Sequence, residues 1–231
     1  MRISTLKGMA AAGALAAAAF GFAAPASAQT DVDLSYNIGV TSDYVFRGFT
    51  QTMEDPAIQG GLDLTAGSFY AGVWASNVDF GDSTDAEIDG YLGFRGEAVG
   101  FGYDVGLIGY GYVNDPAASG YAYGEAKVAV SRAFGPGTVG VAAYYSPDFF
   151  GIDEEALYYE LNVAAAVADN ITISAAVGEQ KLDVSDDYTT WNLGATWGFW
   201  GPLALDVRFH ATDVDSPAAD ERVVGTLKAV F

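Results

Sequence analysis

The feature that most constrains this chain is a regular alternation of apolar and polar residues that begins at residue 32. In the stretch VDLSYNIGVTSDYVF, the even-numbered positions are mainly apolar and the odd-numbered ones are mainly polar or small. A period of two residues indicates a β-strand with one apolar face and one polar face. Taken as one strand over residues 32–47, this segment is longer than most strands of globular proteins.

The same alternation recurs to the end of the chain in about twelve segments. They span residues 32–47, 57–65, 69–78, 87–97, 101–112, 121–132, 138–146, 156–167, 171–178, 188–198, 203–211 and 221–231. Most are near the ~9–11 residues that a tilted membrane-spanning strand needs. Hydrophobic residues make up 51% of the chain, yet no segment after the N-terminus approaches the ~18 consecutive apolar residues of a spanning helix. The sequence therefore predicts an all-β fold, an antiparallel transmembrane β-barrel of about twelve strands formed by residues 29–231.

The connections between these segments alternate in length. Long acidic ones, such as GFTQTMEDP and SPDFFGIDEE, alternate with short ones, such as AGS and FGPG. In outer-membrane barrels the long loops are extracellular and the short turns periplasmic, so both termini are expected in the periplasm. Aromatic residues near predicted strand ends suggest interfacial girdles: Trp191, Trp197, Trp200, Tyr44 and Phe46. A secreted soluble β-barrel or sandwich is the alternative, but it explains the long two-faced strands less well.

The two ends of the chain indicate export. Arg2 and Lys7 precede an apolar segment at residues 8–22, and a small-residue motif ends at Ala28. This is the pattern of a secretory signal peptide over residues 1–28, cleaved after Ala28; a retained membrane helix is the alternative. The terminal Phe231 closes the last alternating strand and resembles a barrel-insertion signal. We therefore expect the barrel-assembly machinery, outer-membrane lipid and lipopolysaccharide as partners in the cell outer membrane.

Composition excludes several classes of function. The formal net charge of −20 repels nucleic acid, so no nucleic-acid partner is expected, and the absence of cysteine rules out thiol chemistry. No phosphate-binding loop or metalloprotease pattern is present, and we expect neither a cofactor nor a metal site. His210 is the only histidine, and although Asn192 lies on the preceding predicted strand, no serine is clearly placed beside it. The sequence therefore does not predict an enzyme.

Two blocks of sequence resemble a known family. The blocks are DYVFRGFTQTMEDPAIQGGLD and FYAGVWASNV, both within residues 43–78. They are similar to the proteobacterial Gcw_chp family, also described as TorF-family porins, and the resemblance extends over essentially the whole mature chain. It implies an outer-membrane barrel that acts as a channel. It does not imply a substrate, an oligomeric state or a set of functional residues.

Charged residues on the inward face of the predicted strands are candidates for lining a pore. They are Arg47, Asp89, Arg95, Asp104, Glu125, Lys127, Glu160, Asp206, Arg208 and Lys228. Strand parity also places Arg95 level with Asp104, and Asp206 level with Lys228. Many other inward residues are small, which favours a narrow pore for passive diffusion of small polar or cationic solutes. Large inward aromatics leave open the alternative of a closed structural barrel, an adhesin or scaffold with acidic extracellular loops.

Two further expectations concern the long loops. Arg47 is predicted at the end of the first strand, at the extracellular mouth and near Arg222; the candidate carboxylate partners for the two arginines are Asp43, Glu54, Asp55 and Glu221. There it would pin the first loop or contact solutes directly. Loop carboxylates could instead hold divalent cations that bridge lipopolysaccharide phosphates: Asp82, Asp85, Asp186 and Asp187.

Overall fold

The structure is a computed structural model, and it describes residues 32–116 and 120–231. The predicted signal peptide and its cleavage site at Ala28 lie outside the described residues. The strands are β1 (Val32–Thr41), β2 (Val45–Phe46), β3 (Phe49–Thr50), β4 (Ala57–Ala66), β5 (Phe69–Asn77), β6 (Ala86–Ala98), β7 (Phe101–Val113), β8 (Tyr123–Phe134), β9 (Gly137–Ser146), β10 (Ala156–Ala168), β11 (Ile171–Leu182), β12 (Tyr188–Trp200), β13 (Leu203–Thr212) and β14 (Arg222–Val230). Short 3₁₀ turns lie at Phe149–Gly151 and Pro217–Ala219.

Twelve of these strands form one closed antiparallel barrel, which confirms the predicted fold class. Each barrel strand pairs with its neighbours in sequence, from β4 to β14. β1 closes the barrel by pairing with β4 on one side and β14 on the other, where Thr41 lies opposite Thr226. Every barrel strand therefore has a partner strand on both sides, as a membrane-spanning sheet requires. No helix among the described residues is long and apolar enough to cross a membrane.

The two faces of the wall follow the predicted parity. The even-numbered side chains of β1, from Val32 to Val40, are exposed on the outside, as are Leu157, Leu161 and Leu193 on other strands. Large side chains on the opposite parity, such as Trp74 and Tyr110, are buried inside. The outer surface is therefore the apolar one, and the polar residues of each strand line the interior, which is the arrangement of a barrel surrounded by lipid.

The connections also alternate as the sequence predicts. The turns after β4, β6, β8, β10 and β12 are short and lie at one end of the barrel, here the short-turn end. The connections after β5, β7, β9, β11 and β13 lie at the opposite end, here the long-loop end, together with residues 42–56 between β1 and β4. Trp197 and Trp200 are exposed near the short-turn end, consistent with the expected aromatic girdle.

The first strand is the main departure from prediction. It ends at Thr41, not at residue 47, and the chain then folds into the barrel, where β2 and β3 form a two-stranded hairpin. We call residues 45–50 the inner hairpin. Tyr44 and Phe46, expected at the membrane interface, are instead buried inside the barrel. The alternation runs on past Thr41 because Tyr44 and Phe46 pack inside the barrel on the rings of Trp74 and Tyr110.

Hydrogen bonds to Asp43 explain why the chain turns inward at this point. The Thr41 hydroxyl donates to the Asp43 carbonyl at 2.8 Å. The Asp43 carboxylate accepts from the hydroxyls of Thr50 at 2.6 Å and Thr52 at 3.0 Å. These bonds join the chain before the inner hairpin to the chain after it, so that Asp43 closes the base of the hairpin.

Candidate functional site: the lumen and its inner hairpin

Arg47 lies buried inside the barrel, at the tip of the inner hairpin, and not at the end of the first strand where the sequence placed it. Its Nη2 donates to Glu125 Oε2 at 2.8 Å, and its Nη1 lies 2.8 Å from Glu125 Oε1 and donates to Gln180 at 3.1 Å. Glu125 belongs to β8 and Gln180 to β11, so the arginine joins two separated parts of the wall. The expectation failed because the first strand ends six residues earlier than the alternation suggested.

Aromatic rings surround the Arg47 guanidinium. Its Cζ lies 4.4 Å from the centroid of Tyr158, 4.8 Å from that of Phe46 and 5.2 Å from that of Tyr144. The whole residue is only 7% exposed. A guanidinium in such a position gains cation–π attraction from the rings and a charge-assisted hydrogen bond from the carboxylate. The site holds the cation firmly, although it removes the charge from bulk water.

The other side of the inner hairpin contacts the opposite wall. A Cβ added to Gly48 would lie 2.1 Å from Thr212 Cγ2 and 3.1 Å from Thr190 Oγ1, so the glycine backbone packs directly on β12 and β13. Gly48 has a φ of +89°, which an L-residue with a side chain rarely adopts. Phe49 packs on Tyr188, with ring centroids 5.2 Å apart. The inner hairpin therefore spans the lumen from β8 to β13.

A third contact joins the start of the first connection to β5 and β6. The Tyr44 hydroxyl donates to Glu87 at 2.8 Å, and the Tyr44 ring meets Trp74 with centroids 5.3 Å apart. At the barrel closure, Arg222 on β14 donates to the Asp43 carboxylate at 2.9 Å and lies 3.7 Å from Glu54. Both carboxylates were among the partners expected for Arg222. The first connection is thus fastened on several sides.

Polar side chains continue along the wall toward the short-turn end. Lys127 forms an ion pair with Asp104 at 2.7 Å, and the Tyr70 hydroxyl donates to the same carboxylate at 2.7 Å. Arg95 lies opposite Asp104 in the strand register, as expected, but it donates to Thr65 at 3.1 Å and lies over the Tyr70 ring. These residues come from five neighbouring strands, β4 to β8.

A second charged cluster lies on β11, β12 and β13. Arg208 donates to Asp206 at 3.1 Å and 3.2 Å, to Asn192 at 2.8 Å and to Ser174 at 2.9 Å. Asp206 also accepts from Thr196 at 2.6 Å.

The expected match between Asp206 and Lys228 is wrong. Asp206 lies opposite Thr226 and Lys228 opposite Ala204, because the register of the last hairpin differs by two residues from the one assumed.

Several inward carboxylates have no cation within ion-pair distance among the described residues. Glu160 accepts from the Tyr158 hydroxyl at 3.0 Å and from Asn162 at 3.2 Å. Asp63 accepts from Tyr91 at 2.5 Å. Asp89 is completely buried, and neither of its carboxylate oxygens receives a hydrogen bond from a residue that the structure describes. The inward face therefore has more acidic than basic groups.

A cavity lies against the inner hairpin on the side of β10, β12 and β13. Its lining includes Arg47, Tyr144, Glu160, Asn192 and His210. Asn192 and His210 are opposite each other in the β12–β13 register. The sequence analysis picked out Arg47 and Glu160 here and expected large aromatics on the inward face. It did not single out Gln180, nor did it predict that rings surround the guanidinium. Strand parity does place Gln180 and Tyr144 on the inward face. Parity alone, however, does not tell which of the many inward residues contact each other.

The loop carboxylates take part in local hydrogen bonds. Asp82 accepts from the Thr84 amide at 2.7 Å and from the Tyr121 hydroxyl at 2.9 Å, and the Thr84 amide lowers the pKa of Asp82 below its ordinary value. Asp187 accepts from Lys181 and from the Leu182 amide, each at 2.9 Å. Within residues 32–116 and 120–231, no group of three or more metal-ligating side chains could hold a metal ion.

Phe231 lies at the barrel closure, at the end of the chain. Its backbone amide and carbonyl both bond to Tyr36, at 2.9 Å and 3.1 Å, and its ring stacks on the Tyr36 ring with centroids 5.0 Å apart. The contact joins the last residue to the first strand on the outer face. An insertion signal at Phe231 stays a prediction.

A closed barrel of twelve antiparallel strands with an apolar outside and a charged interior is the architecture of outer-membrane porins and channels. Solved structures of this class share the fold. A KdgM porin is 7% identical with a TM-score of 0.58, over 86% of this chain and 97% of that one. A NanC porin is 10% identical with a TM-score of 0.56, over 86% and 98%. An outer-membrane channel from Pseudomonas putida F1 is 12% identical with a TM-score of 0.51, over 89% and 96%.

The chain belongs to the Gcw_chp family of bacterial proteins of unknown function, whose model matches residues 25–231. The match includes every strand of the barrel and the whole of the inner hairpin. No curated protein matches the chain. The match to the family model confirms the resemblance to this family seen in the sequence.

Proposed function

We propose that this protein is a narrow outer-membrane channel for passive diffusion of small polar solutes, with a preference for cations. The observation that carries the proposal is the charged lining, which continues past the inner hairpin toward the short-turn end. Asp104 and Lys127 lie there on one side and Asp206 and Arg208 on the other. Burying such groups in a sealed interior costs free energy, whereas water in a lumen hydrates them. A purely structural barrel has no need of them.

The preference for cations follows from the net negative charge of the residues that line the lumen. Asp63 and Glu160 have no ion-pair partner among the described residues, and the long connections are acidic. A negatively charged lumen concentrates cations and repels anions. No cofactor and no catalytic step are part of the proposal, since diffusion needs only the lining.

The cellular setting is part of the same proposal. The long-loop end faces the outside of the cell and the termini lie in the periplasm, as in outer-membrane barrels in general. Residues 1–28 direct export and are removed after Ala28, and the assembly machinery inserts the barrel among outer-membrane lipid and lipopolysaccharide. Cleavage is tested by sequencing the N-terminus of the protein purified from outer membranes.

A closed structural barrel is the second candidate, and one observation favours it. The first connection contacts β5 and β6 through Tyr44, β8 and β11 through Arg47, and β12 and β13 through Gly48. A barrel filled in this way would act through its acidic loops as an adhesin or scaffold. The two candidates differ in whether ions cross the barrel while the inner hairpin is in place.

Planar-bilayer recording separates these candidates. One variant removes residues 45–50 and joins Tyr44 to Gln51 through two glycines, because the Gln51 amide already donates to the Tyr44 carbonyl at 2.6 Å. We expect discrete conductance steps from the wild type and larger steps from this variant. Steps from the variant alone would indicate a closed barrel, and no steps from either would refute a channel.

A matched pair of variants tests selectivity. In a potassium chloride gradient, Glu160→Gln should move the reversal potential away from the potassium value, and Arg95→Gln should move it toward that value, because the two changes alter the lumen charge in opposite directions. Wild-type selectivity for chloride would contradict the cation preference. If the reversal potential moved in the same direction in both variants, the charge of the lining would not determine the ion selectivity.

A further inference from the structure

The wall facing the inner hairpin combines carboxylates with aromatic rings in one place. Asp89 on β6 lies opposite Tyr110 on β7, and the Tyr110 hydroxyl donates to Glu125 on β8 at 3.0 Å. We call this wall, together with Glu87, Tyr144 and Tyr158, the cation chamber. Each member points into the barrel, and the carboxylates are at most 3% exposed. The chamber is therefore a concave surface that carries negative charge and π-faces.

The chain already places a cation of its own in the cation chamber. Arg47 contacts Glu125 through both terminal nitrogens and lies over the rings of Tyr144 and Tyr158. This set of contacts is the one by which proteins recognise a guanidinium ligand, with a carboxylate facing its planar donors and aromatic faces beside it. The difference here is that the ligand is tethered at the tip of a hairpin.

One carboxylate of the cation chamber is left without a donor. Asp89 is completely buried, and no described residue donates a hydrogen bond to either of its oxygens. Glu87, two residues away on the same face, accepts from the Tyr44 hydroxyl at 2.8 Å. A buried carboxyl group that lies beside a second one, Glu87, and has no N–H donor is costly in its charged form, so this position favours an incoming group that brings both positive charge and N–H donors.

The donor set selects the chemical class of that group. No cluster of three or more metal-ligating side chains exists among the described residues, so the chamber is not built as a metal cage. Rings beside carboxylates instead suit an organic cation, which is weakly hydrated and presents N–H donors. An anion would meet like charge on the same wall.

We propose that the cation chamber is a binding site for organic cations carrying a guanidinium or primary ammonium group, and that Arg47 is its tethered competitor. An arriving cation takes the place of Arg47 on Glu125 and the rings, and the inner hairpin leaves the wall. The inference rests on the proposed function for its link to transport. The binding itself does not depend on conduction, because the competition occurs within the folded chain.

The test is a calorimetric titration of the purified full-length barrel in detergent micelles. The probe is methylguanidinium, and methylurea, which has a similar shape and no charge, is the neutral comparison. We expect Arg47→Ala to bind methylguanidinium at least ~10-fold more tightly than the wild type, because a tethered competitor lowers apparent affinity. Adding Glu125→Gln to Arg47→Ala should abolish that binding, and methylurea should not bind to any variant.

Arg132→Ala is the matched control. Arg132 also lies over two rings, those of Phe101 and Phe134, but it is exposed on the outer face of β8. Its removal should leave methylguanidinium binding at the wild-type value. Arg47→Gln, which keeps most of the side-chain stem, serves as a second variant if Arg47→Ala does not refold, and heat-modifiable migration on gels reports refolding.

Two outcomes would overturn the inference: equal methylguanidinium affinity in the wild type and in the Arg47 variants, or methylurea binding as tightly as methylguanidinium. A failure of the proposed channel function gives a different result. In that case bilayers show no conductance steps from any variant, while the titration still reports whether the cation chamber binds its probe.

Discussion

Adding one methyl group to the inner hairpin should displace it from the wall. In Gly48→Ala the new Cβ would lie 2.1 Å from Thr212 Cγ2, far inside the ~3.5–4.0 Å of ordinary carbon contacts. Gly48 also has a φ of +89°, so alanine is strained there even without the collision. Because Gly48 sits at the tip of the inner hairpin, next to Arg47, the strain acts directly on the Arg47 contacts.

The expected free-energy cost of Gly48→Ala has two parts. The backbone conformation costs about 1–2 kcal/mol for any residue with a Cβ. The collision adds about 1–3 kcal/mol, the range for overpacking a filled site. If the displaced hairpin escapes the collision, that second part raises its population relative to the inserted form by roughly 5- to 150-fold.

Trypsin provides the assay. Cleavage after Arg47 requires the inner hairpin to leave the barrel, since the residue is buried in the inserted form. Cleavage at Arg47 in refolded Gly48→Ala should therefore be faster than in the wild type by the same factor. Thr212→Ser, which removes the colliding methyl group and keeps the hydroxyl, should bring the rate in the double variant part of the way back.

Gly67→Ala is the control for backbone strain. Gly67 has a φ of +61° in the turn after β4, and a Cβ there would meet nothing within 4 Å. It should lower the stability of the barrel slightly and leave cleavage at Arg47 unchanged. Equal cleavage in Gly48→Ala and the wild type would refute the reasoning, as would a Gly67→Ala variant that is cut just as fast.

Three other changes follow from single contacts. Tyr44→Phe removes the 2.8 Å hydrogen bond to buried Glu87, which should cost about 1–3 kcal/mol of hairpin insertion and speed cleavage at Arg47. Lys127→Met leaves Asp104 without its ion pair, so the reversal potential in a salt gradient should move toward the cation value. The Thr84 amide lowers the pKa of Asp82, so the carboxylate keeps its charge, and its charged hydrogen bonds to the Thr84 amide and Tyr121, as the pH falls through the usual aspartate value of about 3.9. Asp82→Asn should therefore speed hydrogen exchange of the Thr84 amide near neutral pH, and the difference from the wild type should shrink as the pH falls through the lowered pKa.

The barrel could be predicted from sequence because lipid and lumen impose opposite demands on successive residues. Side chains on the outer face of β1 must be apolar, and their neighbours need not be. The connections add the second signal, since a turn as short as that between β4 and β5 permits only a hairpin. These two constraints are local, so a single sequence contains them.

The inner hairpin could not be predicted in the same way. Tyr44 and Phe46 continue the alternation of β1, but they face the inside of the barrel and not lipid. Inside the barrel these two side chains pack on the rings of Trp74 and Tyr110, so apolar residues are needed there as on the lipid face, and alternation alone does not distinguish the two positions. The contact between Arg47 and Glu125 joins residues 78 positions apart, and strand parity places many inward residues without telling which of them meet.

The small inward residues show why strand number alone leaves the bore undecided. The sequence suggested that glycines on the inner face leave free space, but a Cβ on Gly72 would lie 2.5 Å from the Tyr91 ring, and one on Gly178 would lie 2.2 Å from the Tyr158 hydroxyl. The same holds for Gly194 beneath Arg208. These glycines are places where large side chains of adjacent strands lie flat against the wall. Because these side chains lie flat, they leave the axis of the barrel clear, and their contacts with the wall hold them in place. The width of the bore therefore depends on the inner hairpin more than on the wall.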